Sequence, residues 1–365
     1  MAFQKIGFIG LGLIGGSIAL KLKENNPSVS IIATAGREST IQTAYGMKLI
    51  DNSEKLPLTA FAECDYIFLC APTQLNLQYL KELKEIVSPR TMITDVGSTK
   101  SEIHEAVNAL GLQRQFIGGH PMTGSEKTGI ENARAHLLEN AYYIMTPTDL
   151  TPYSVITEFY EFIRSLGALP LQLDYKQHDY AVGAISHLPH MISFTLTNMV
   201  QEIDDPKETM KTVSAGSFRD MTRVAASSPI MWENICESNR DAILDLMDKY
   251  MERFANLRAM VAGKDQKAMM DYFGAAKEYR DSLAVPGSKV RKAYFEIYVD
   301  LLDEAGGIAI IASLLAFAGI NLKNIGIVNN REFAEGVLRI EFYDQKSLDK
   351  ATEILKARNY TIHER

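Results

Sequence analysis

Through the first 170 residues, short apolar runs alternate with segments long enough to be helices. "KIGFIG", "SIIATAG", "CDYIFLCAP", "RTMITDVG", "QFIGGHP" and "AYYIMTP" read as strands. "GGSIALKLKEN", "STIQTAYGM", "LNLQYLKELKEIV" and "STKSEIHEAVNAL" read as helices between them. A further helix and strand follow in "TEFYEFIRSLGALPLQLD". This alternation predicts an α/β domain with a doubly wound, mainly parallel sheet over residues 1–174. From about residue 176 to 284 the strand signal vanishes. "ILDLMDKYMERFANLRAMVAG" repeats its apolar positions at helical spacing and "MMDYFGAAKEYRDSL" continues, so 175–286 is expected to be all-helical. Long amphipathic helices of this kind often pack against a copy of themselves, which predicts a homodimer. After a linker, "VPGSKVRK", residues 291–365 read β-α-β-β-α-β. The strands are "YFEIYVD", "NLKNIGIVN", "GVLRIEFY" and "YTIHE", and the helices start near Ile308 and Ser347: a ferredoxin-like α+β domain.

Composition narrows the function classes. The 365 residues are 46% apolar and 23% charged, with a net charge of −7 and no long basic run, which argues against nucleic acid as a partner. Cys64, Cys70 and Cys236 form no C-x-x-C pair and read as reduced thiols in a cytoplasmic protein. Two stretches imitate membrane signals. The N-terminal apolar run carries Gly10, Gly12, Gly15 and Gly16, which weaken a signal helix. "AGGIAIIASLLAFAGINL" is short for a span and flanked by strand patterns. No membrane partner is expected.

"IGFIGLGLIGGSIALKL" holds G-x-G-x-x-G as Gly10, Gly12 and Gly15, after a strand and opening a helix. The first glycine permits the tight turn, the second lets a pyrophosphate approach, and the third lets helix and strand pack closely. A Rossmann-type dinucleotide site is expected on Gly10, Gly12, Leu13, Ile14 and Gly15. NAD sites place an acid at the end of the second strand, about 20 residues on. Here that strand ends "ATAGRESTI", with Gly36, Arg37 and then Glu38. Arg37 and Ser39 could hold a 2′-phosphate, or Arg37 could stack on the adenine. The cofactor is therefore read as NAD, with NADP left open.

Four stretches carry the candidate chemistry. "TDVGSTK" ends a strand at Ser98. "GGHPMTGSEKTG" sets His120 on a bare Gly-Gly-His-Pro loop followed by Ser125 and Glu126. "HDYAVGAISHLPH" carries His178, His187 and His190. "SAGSFRDMTRVAASSPIMW" carries Arg219, Asp220, Arg223 and the sole tryptophan, Trp232. Three of the seven histidines within 13 residues raise a metal reading. The i, i+3 spacing of His187 and His190 around Pro189 fits a zinc helix poorly, and only Asp179 stands near as a further ligand, so no metal is expected. His178 reads as a structural histidine at least as readily as a catalytic one. Asp220 and Arg223 are placed to pair on one helix face.

These motifs, in this order, resemble the prephenate dehydrogenases of the tyrosine pathway, over roughly residues 3 to 285. The resemblance implies oxidative decarboxylation of prephenate to 4-hydroxyphenylpyruvate, with hydride passing from ring C4 to the nicotinamide. It implies that a neutral His120 hydrogen-bonds the C4 hydroxyl and that Ser98 shares that hydroxyl and steadies the imidazole. It also implies that Arg223, fixed by Asp220, clamps a substrate carboxylate. His190, with His187 and Ser186, would face the pyruvyl chain. Ser125 and Glu126 would line the pocket, Trp232 would brace it, and Ala71 and Pro72 would border the nicotinamide. The glycines beside His120 are expected to let cofactor and substrate crowd close.

The tail resembles an ACT domain, although "DEAGGI" lacks the proline often found there. That implies feedback regulation by tyrosine bound near Asp303, Gly306, Gly307 and Ile308. The competing readings are an NADP-dependent arogenate dehydrogenase, another dehydrogenase built from a Rossmann and a helical domain, and a nucleotide-sensing regulator. The last would lack the histidine and arginine present here as His120 and Arg223.

Overall fold

The computed structural model describes residues 5–124, 127–283, 295–300, 306–328 and 337–363. The chain divides into two compact units, Met1–Pro286 and Gly287–Arg365.

The first unit is built on a seven-stranded sheet of β1 (Lys5–Ile9), β2 (Ser30–Thr34), β3 (Tyr66–Leu69), β4 (Met92–Asp95), β5 (Phe116–Pro121), β6 (Tyr142–Pro147) and β7 (Leu169–Gln172). Their order is β2-β1-β3-β4-β5-β6-β7. Alternate residues of each central strand feed opposite cores. Ile6, Phe8, Tyr66 and Phe68 join one apolar cluster; Ile9, Ile67 and Leu69 join the other. A strand covered on both faces has no polar alternation, which is why these strands read as unbroken apolar runs. Helices α1 (Leu13–Asn25), α2 (Glu38–Gly46), α3 (Thr73–Leu83), α4 (Ser101–Leu110) and α5 (Tyr153–Ser165) supply those covers. Strand order reverses between β1 and β3, so the ligand crevice of such a sheet lies outside the carboxyl ends of these strands.

The five strands β1 to β5 are parallel, but β6 runs antiparallel to β5, and β7 follows β6 in parallel. The link from β5 to β6 holds short 3-10 turns, Ile130–Asn132 and Ala135–Leu138. A parallel return would need a full crossover, usually a helix.

The stretch expected to be helical holds only helices and the turns between them among its described residues. It runs as α6 (Tyr175–Val182), a π-helical turn (Gly183–His187), α7 (Leu188–Ile203), α8 (Thr209–Val213), α9 (Gly216–Thr222), a 3-10 turn (Arg223–Ala226), α10 (Pro229–Ser238), α11 (Arg240–Ala262) and α12 (Gln266–Ser282). Asp174 caps α6, its Oδ1 accepting the Lys176 amide at 2.9 Å. Pro189 lies just after the π turn. Proline has no N–H to return to the preceding helical turn, and the wider turn accommodates the break.

The second unit is β8 (Glu296–Asp300), α13 (Gly307–Phe317), β9 (Leu322–Val328), β10 (Val337–Phe342), α14 (Gln345–Lys356) and β11 (Ile362–His363), in the sheet order β11-β8-β10-β9. This is the expected β-α-β-β-α-β pattern, with β8, β9, β10 and β11 pairing antiparallel. The apolar stretch that imitates a span forms the 11-residue α13, which buries Ile311 and Leu315. Among the described residues no helix is long and apolar enough to cross a membrane. The linker and Asp303 lie outside the described residues.

Candidate active site

The turn from β1 into α1 is shaped as a phosphate cradle. Gly10 adopts φ +91°, and a Cβ there would stand 2.6 Å from the Ala71 nitrogen. Among the described residues, a Cβ at Gly12, the N-cap of α1, would meet nothing within 4 Å, and no side chain caps the helix. A Cβ on Gly15 would press on the Cys70 side chain at 3.1 Å. Gly10 thus makes the turn, and Gly15 lets helix and strand pack closely. The first turn of α1 carries no acid, and among the described residues no side chain hydrogen-bonds its N-cap, so the residues present fit a dinucleotide pyrophosphate. Leu13 and Ile14 are half-buried in that first turn, and Arg37 and Ser39 are exposed just beyond β2. Ala71 and Pro72 follow β3, where Asn76 Nδ2 donates to the Ala71 carbonyl at 2.8 Å. Asn76 is an anchor that sequence reasoning passed over.

His120 sits near the end of β5, half-buried. Its Nδ1 lies 2.8 Å from Nε2 of His178, and His178 Nδ1 lies 2.8 Å from Asp179 Oδ1. Asp179 in turn accepts the backbone amides of Lys100 at 2.8 Å and Ser101 at 2.7 Å, at the start of α4. Burial alone would raise the Asp179 carboxyl, but hydrogen bonds from His178 and Ser101 outweigh it and hold the group below its usual range. An ionised Asp179 assigns the tautomers along the chain. His178 donates from Nδ1 to the carboxylate and accepts at Nε2. His120 therefore donates from Nδ1, and its Nε2 carries a lone pair. Burial, reinforced by His178, Lys100 and His187, pushes the His120 imidazole well below its ordinary pKa, so the ring is neutral.

A second buried system holds the loop from below. Lys100 and Asp95 form an ion pair inside the protein, both essentially inaccessible. Lys100 Nζ also donates to the Gly119 carbonyl at 2.8 Å, and Asp95 Oδ1 accepts the Gly119 amide at 3.2 Å. The residue before His120 is thereby fixed at both of its backbone groups.

This corrects the reading of the glycines. A Cβ on Gly118 would collide with Thr146 Oγ1 and meet His104 Nε2 at 3.0 Å. One on Gly119 would meet Tyr143 Oη at 2.5 Å and the Asp95 carbonyl at 2.6 Å. The space they leave is filled by protein groups. Ser98 is exposed in the turn after β4, and among the described residues no hydrogen bond links it to His120. The partner that steadies the imidazole is His178.

On the helical side, the π turn carries Ser186 and His187 and leads to His190. His187 is buried, and its Nδ1 accepts from Asn239 Nδ2 at 3.0 Å, while the same amide donates to the Asp179 carbonyl at 2.8 Å. Burial lowers the His187 pKa to about 4. It is a packed neutral ring, with its edge toward Trp232. His190 donates from Nδ1 to the Ser186 carbonyl at 2.8 Å and packs 4.1 Å from the Trp232 ring. Trp232 is 6% exposed, and its Nε1 has no hydrogen-bond partner among the described residues. Asp220 lies in α9, which ends at Thr222, and Arg223 opens the 3-10 turn that follows. Both are exposed. Ser125 and Glu126 lie outside the described residues. Among those described, no cluster of three histidine, cysteine or carboxylate groups is arranged for a metal ion.

Residues 18–170 match the family described as prephenate dehydrogenase, nucleotide-binding domain, and residues 174–275 match prephenate dehydrogenase, dimerization domain. The chain belongs to the prephenate dehydrogenase family. A prephenate dehydrogenase of Bacillus subtilis (strain 168) is 34% identical over 96% of this chain and 95% of its own length. One from Lactococcus lactis subsp. cremoris is 33% identical over 98% of this chain and 99% of its own. The solved prephenate dehydrogenase from A. aeolicus, in complex with hydroxyphenyl propionate and NAD+, is 27% identical. It superposes with a TM-score of 0.72 over 78% of this chain and 99% of its own. The two sequence relatives thus extend across the second unit as well as the first.

Proposed function

We propose that this family member catalyses oxidative decarboxylation of prephenate to 4-hydroxyphenylpyruvate and carbon dioxide. The observation that carries this reading is His120: a neutral imidazole whose Nδ1–H is committed to His178, leaving Nε2 as the acceptor. A bound nicotinamide dinucleotide supplies the hydride acceptor. His120 Nε2 takes up the proton of the C4 hydroxyl as hydride leaves C4. The bond to the ring carboxylate breaks, its electron pair completes the aromatic ring, and the C4 oxygen recovers the proton as a phenol. Aromatisation provides driving force, so the protein's share is placement and charge.

Ser98 shares the C4 hydroxyl. Arg223 pairs with a substrate carboxylate, beside Asp220. His190, held against Trp232, faces the pyruvyl group with Ser186 and His187 behind it. Assays crossing prephenate and arogenate with both nicotinamide dinucleotides test the reading. Turnover of prephenate supports it, and turnover of arogenate alone overturns it.

The functional unit is a homodimer. Leu244, Met251, Phe254 and Val261 make an exposed apolar stripe along α11, a surface that a monomer rarely leaves open. A monomer mass by light scattering at micromolar concentration overturns this. The second unit is an ACT-like regulatory domain binding tyrosine near Gly306, Gly307, Ile308 and Asp303, supported by its β-α-β-β-α-β order. Loss of tyrosine inhibition in a chain ending before residue 288, with turnover kept, is the expected result. The three free thiols support a cytoplasmic location.

A further inference from the structure

The end of β2 is where a dinucleotide fold meets the 2′ position of the adenosine ribose. β2 ends at Thr34, and Ala35 and Gly36 follow it with no carboxylate. Among the described residues, a Cβ on Gly36 would meet nothing within 4 Å, so this corner is open there. Arg37, the next residue, is the exposed N-cap of α2. Ser39 is exposed beside it. Neither side chain has a hydrogen-bond or ion-pair partner among the described residues.

Glu38 is the single acid between Ser30 and Ile41, and it is occupied. Its Oε1 accepts the Lys55 backbone amide at 3.1 Å. That amide is itself held in place. Asn52 pairs with both backbone groups of Ala33 on the free edge of β2, at 2.9 Å each, and Asn52 Nδ2 also donates to the Glu54 carbonyl at 2.7 Å. The loop that carries Lys55 is thus pinned to the strand, and it draws the Glu38 carboxylate to itself. The usual acceptor for a ribose 2′-hydroxyl is missing. What stands free is a planar cation with forked donors, a hydroxyl and the amide end of a nine-residue helix, a donor set suited to a phosphate dianion.

We infer that the protein selects a nicotinamide dinucleotide bearing a 2′-phosphate, with Arg37 and Ser39 as the selecting residues. This rests on the dehydrogenase reading above and goes further by choosing between the two cofactors. The guanidinium pairs with two phosphate oxygens, the Ser39 hydroxyl donates to the third, and Glu38 stays turned to Lys55 so that its charge does not oppose the anion.

Equilibrium binding to the full-length protein tests this without turnover. Isothermal titration compares NADP with NAD, and 2′,5′-ADP with 5′-AMP. The 2′-phosphorylated member of each pair should bind at least about tenfold tighter, the gain expected of charge-assisted bonds to an exposed arginine. Arg37→Ala should abolish that preference while leaving NAD affinity in place, and Arg37→Lys should restore only part of it. Equal binding of NADP and NAD overturns the inference and leaves the dehydrogenase reading standing. Equal weakening of both by Arg37→Ala overturns it in favour of stacking on the adenine. Binding of neither dinucleotide overturns the inference and the dehydrogenase reading together.

Discussion

His120 donates from Nδ1 to Nε2 of His178 across 2.8 Å, and the histidine that stands alone in sequence is the outer member of a three-group chain ending at Asp179. The chain ties the end of a strand to the start of α6 and, through the Lys100 and Ser101 amides, to the start of α4. It commits one nitrogen of His120 so that the other has a defined role.

Replacing His178 by Phe removes the acceptor for His120 Nδ1 and frees the ring to take the other tautomer. The expected result is a fall in kcat on the order of 10-fold to 100-fold with little change in KM, because the substrate does not touch His178. Asp179→Asn should lower kcat similarly and also lower the melting temperature, since the buried carboxylate receives two backbone amides. Steady-state kinetics with a thermal melt of each variant separates the two roles.

Acid should weaken the fold, and it should protonate the catalytic ring only below the ordinary imidazole range. Burial holds His104 and His187 at about 4, below the unfolded value of ~6.5. Between those values the unfolded chain binds the extra protons, so stability is full above ~6.5 and is lost as pH falls toward 4. Each ring contributes up to about 3 kcal/mol to that loss. His120 is lowered in the same direction, so the acid limb of kcat/KM should lie below pH ~6.5. Denaturation midpoints and a pH–rate profile check this, and an acid limb at or above that value contradicts it.

Lys100→Met leaves the Asp95 carboxylate buried without its cation. Breaking a buried pair from one side costs about 3–5 kcal/mol. The double variant Lys100→Met, Asp95→Leu should recover much of that stability but not turnover, because Gly119 loses its clamp in both. Chemical denaturation of the single and double variants gives the comparison.

Gly119→Ala should destabilise the protein by about 1–3 kcal/mol, through overpacking against Tyr143 and the Asp95 carbonyl. Gly12→Ala meets no atom of the described residues within 4 Å, so it should leave the melt unchanged and weaken dinucleotide binding instead.

The order of elements was legible because both periods are strong in this chain: continuous apolar strands buried on two faces, and helices with a 3.6-residue repeat. The phosphate fingerprint was legible because each glycine answers a local backbone demand at Gly10, Gly12 or Gly15. The reversal of β6 was not, since nothing local marks the absence of a crossover helix between two good strands. Partners across the fold were equally hidden. Asp179 meets amides 78 and 79 residues away in sequence, and no spacing rule announces such a contact. A sequence signal did exist for Lys100 and Asp95. Two opposite charges flank a glycine-containing turn after a buried strand, and burial of both requires that they pair. The misreading of Gly118 and Gly119 has the same origin, for a bare loop in sequence looks open to ligand until its protein neighbours are known.

His120 acts on the substrate hydroxyl as a neutral acceptor in the proposed reaction. Kinetics of His120→Asn with prephenate, beside a thermal melt, test it most directly. The expected result is a fall in kcat on the order of 10²–10⁴, a KM near that of the parent protein and a preserved melting temperature. A variant that turns over prephenate at the parent rate would contradict it.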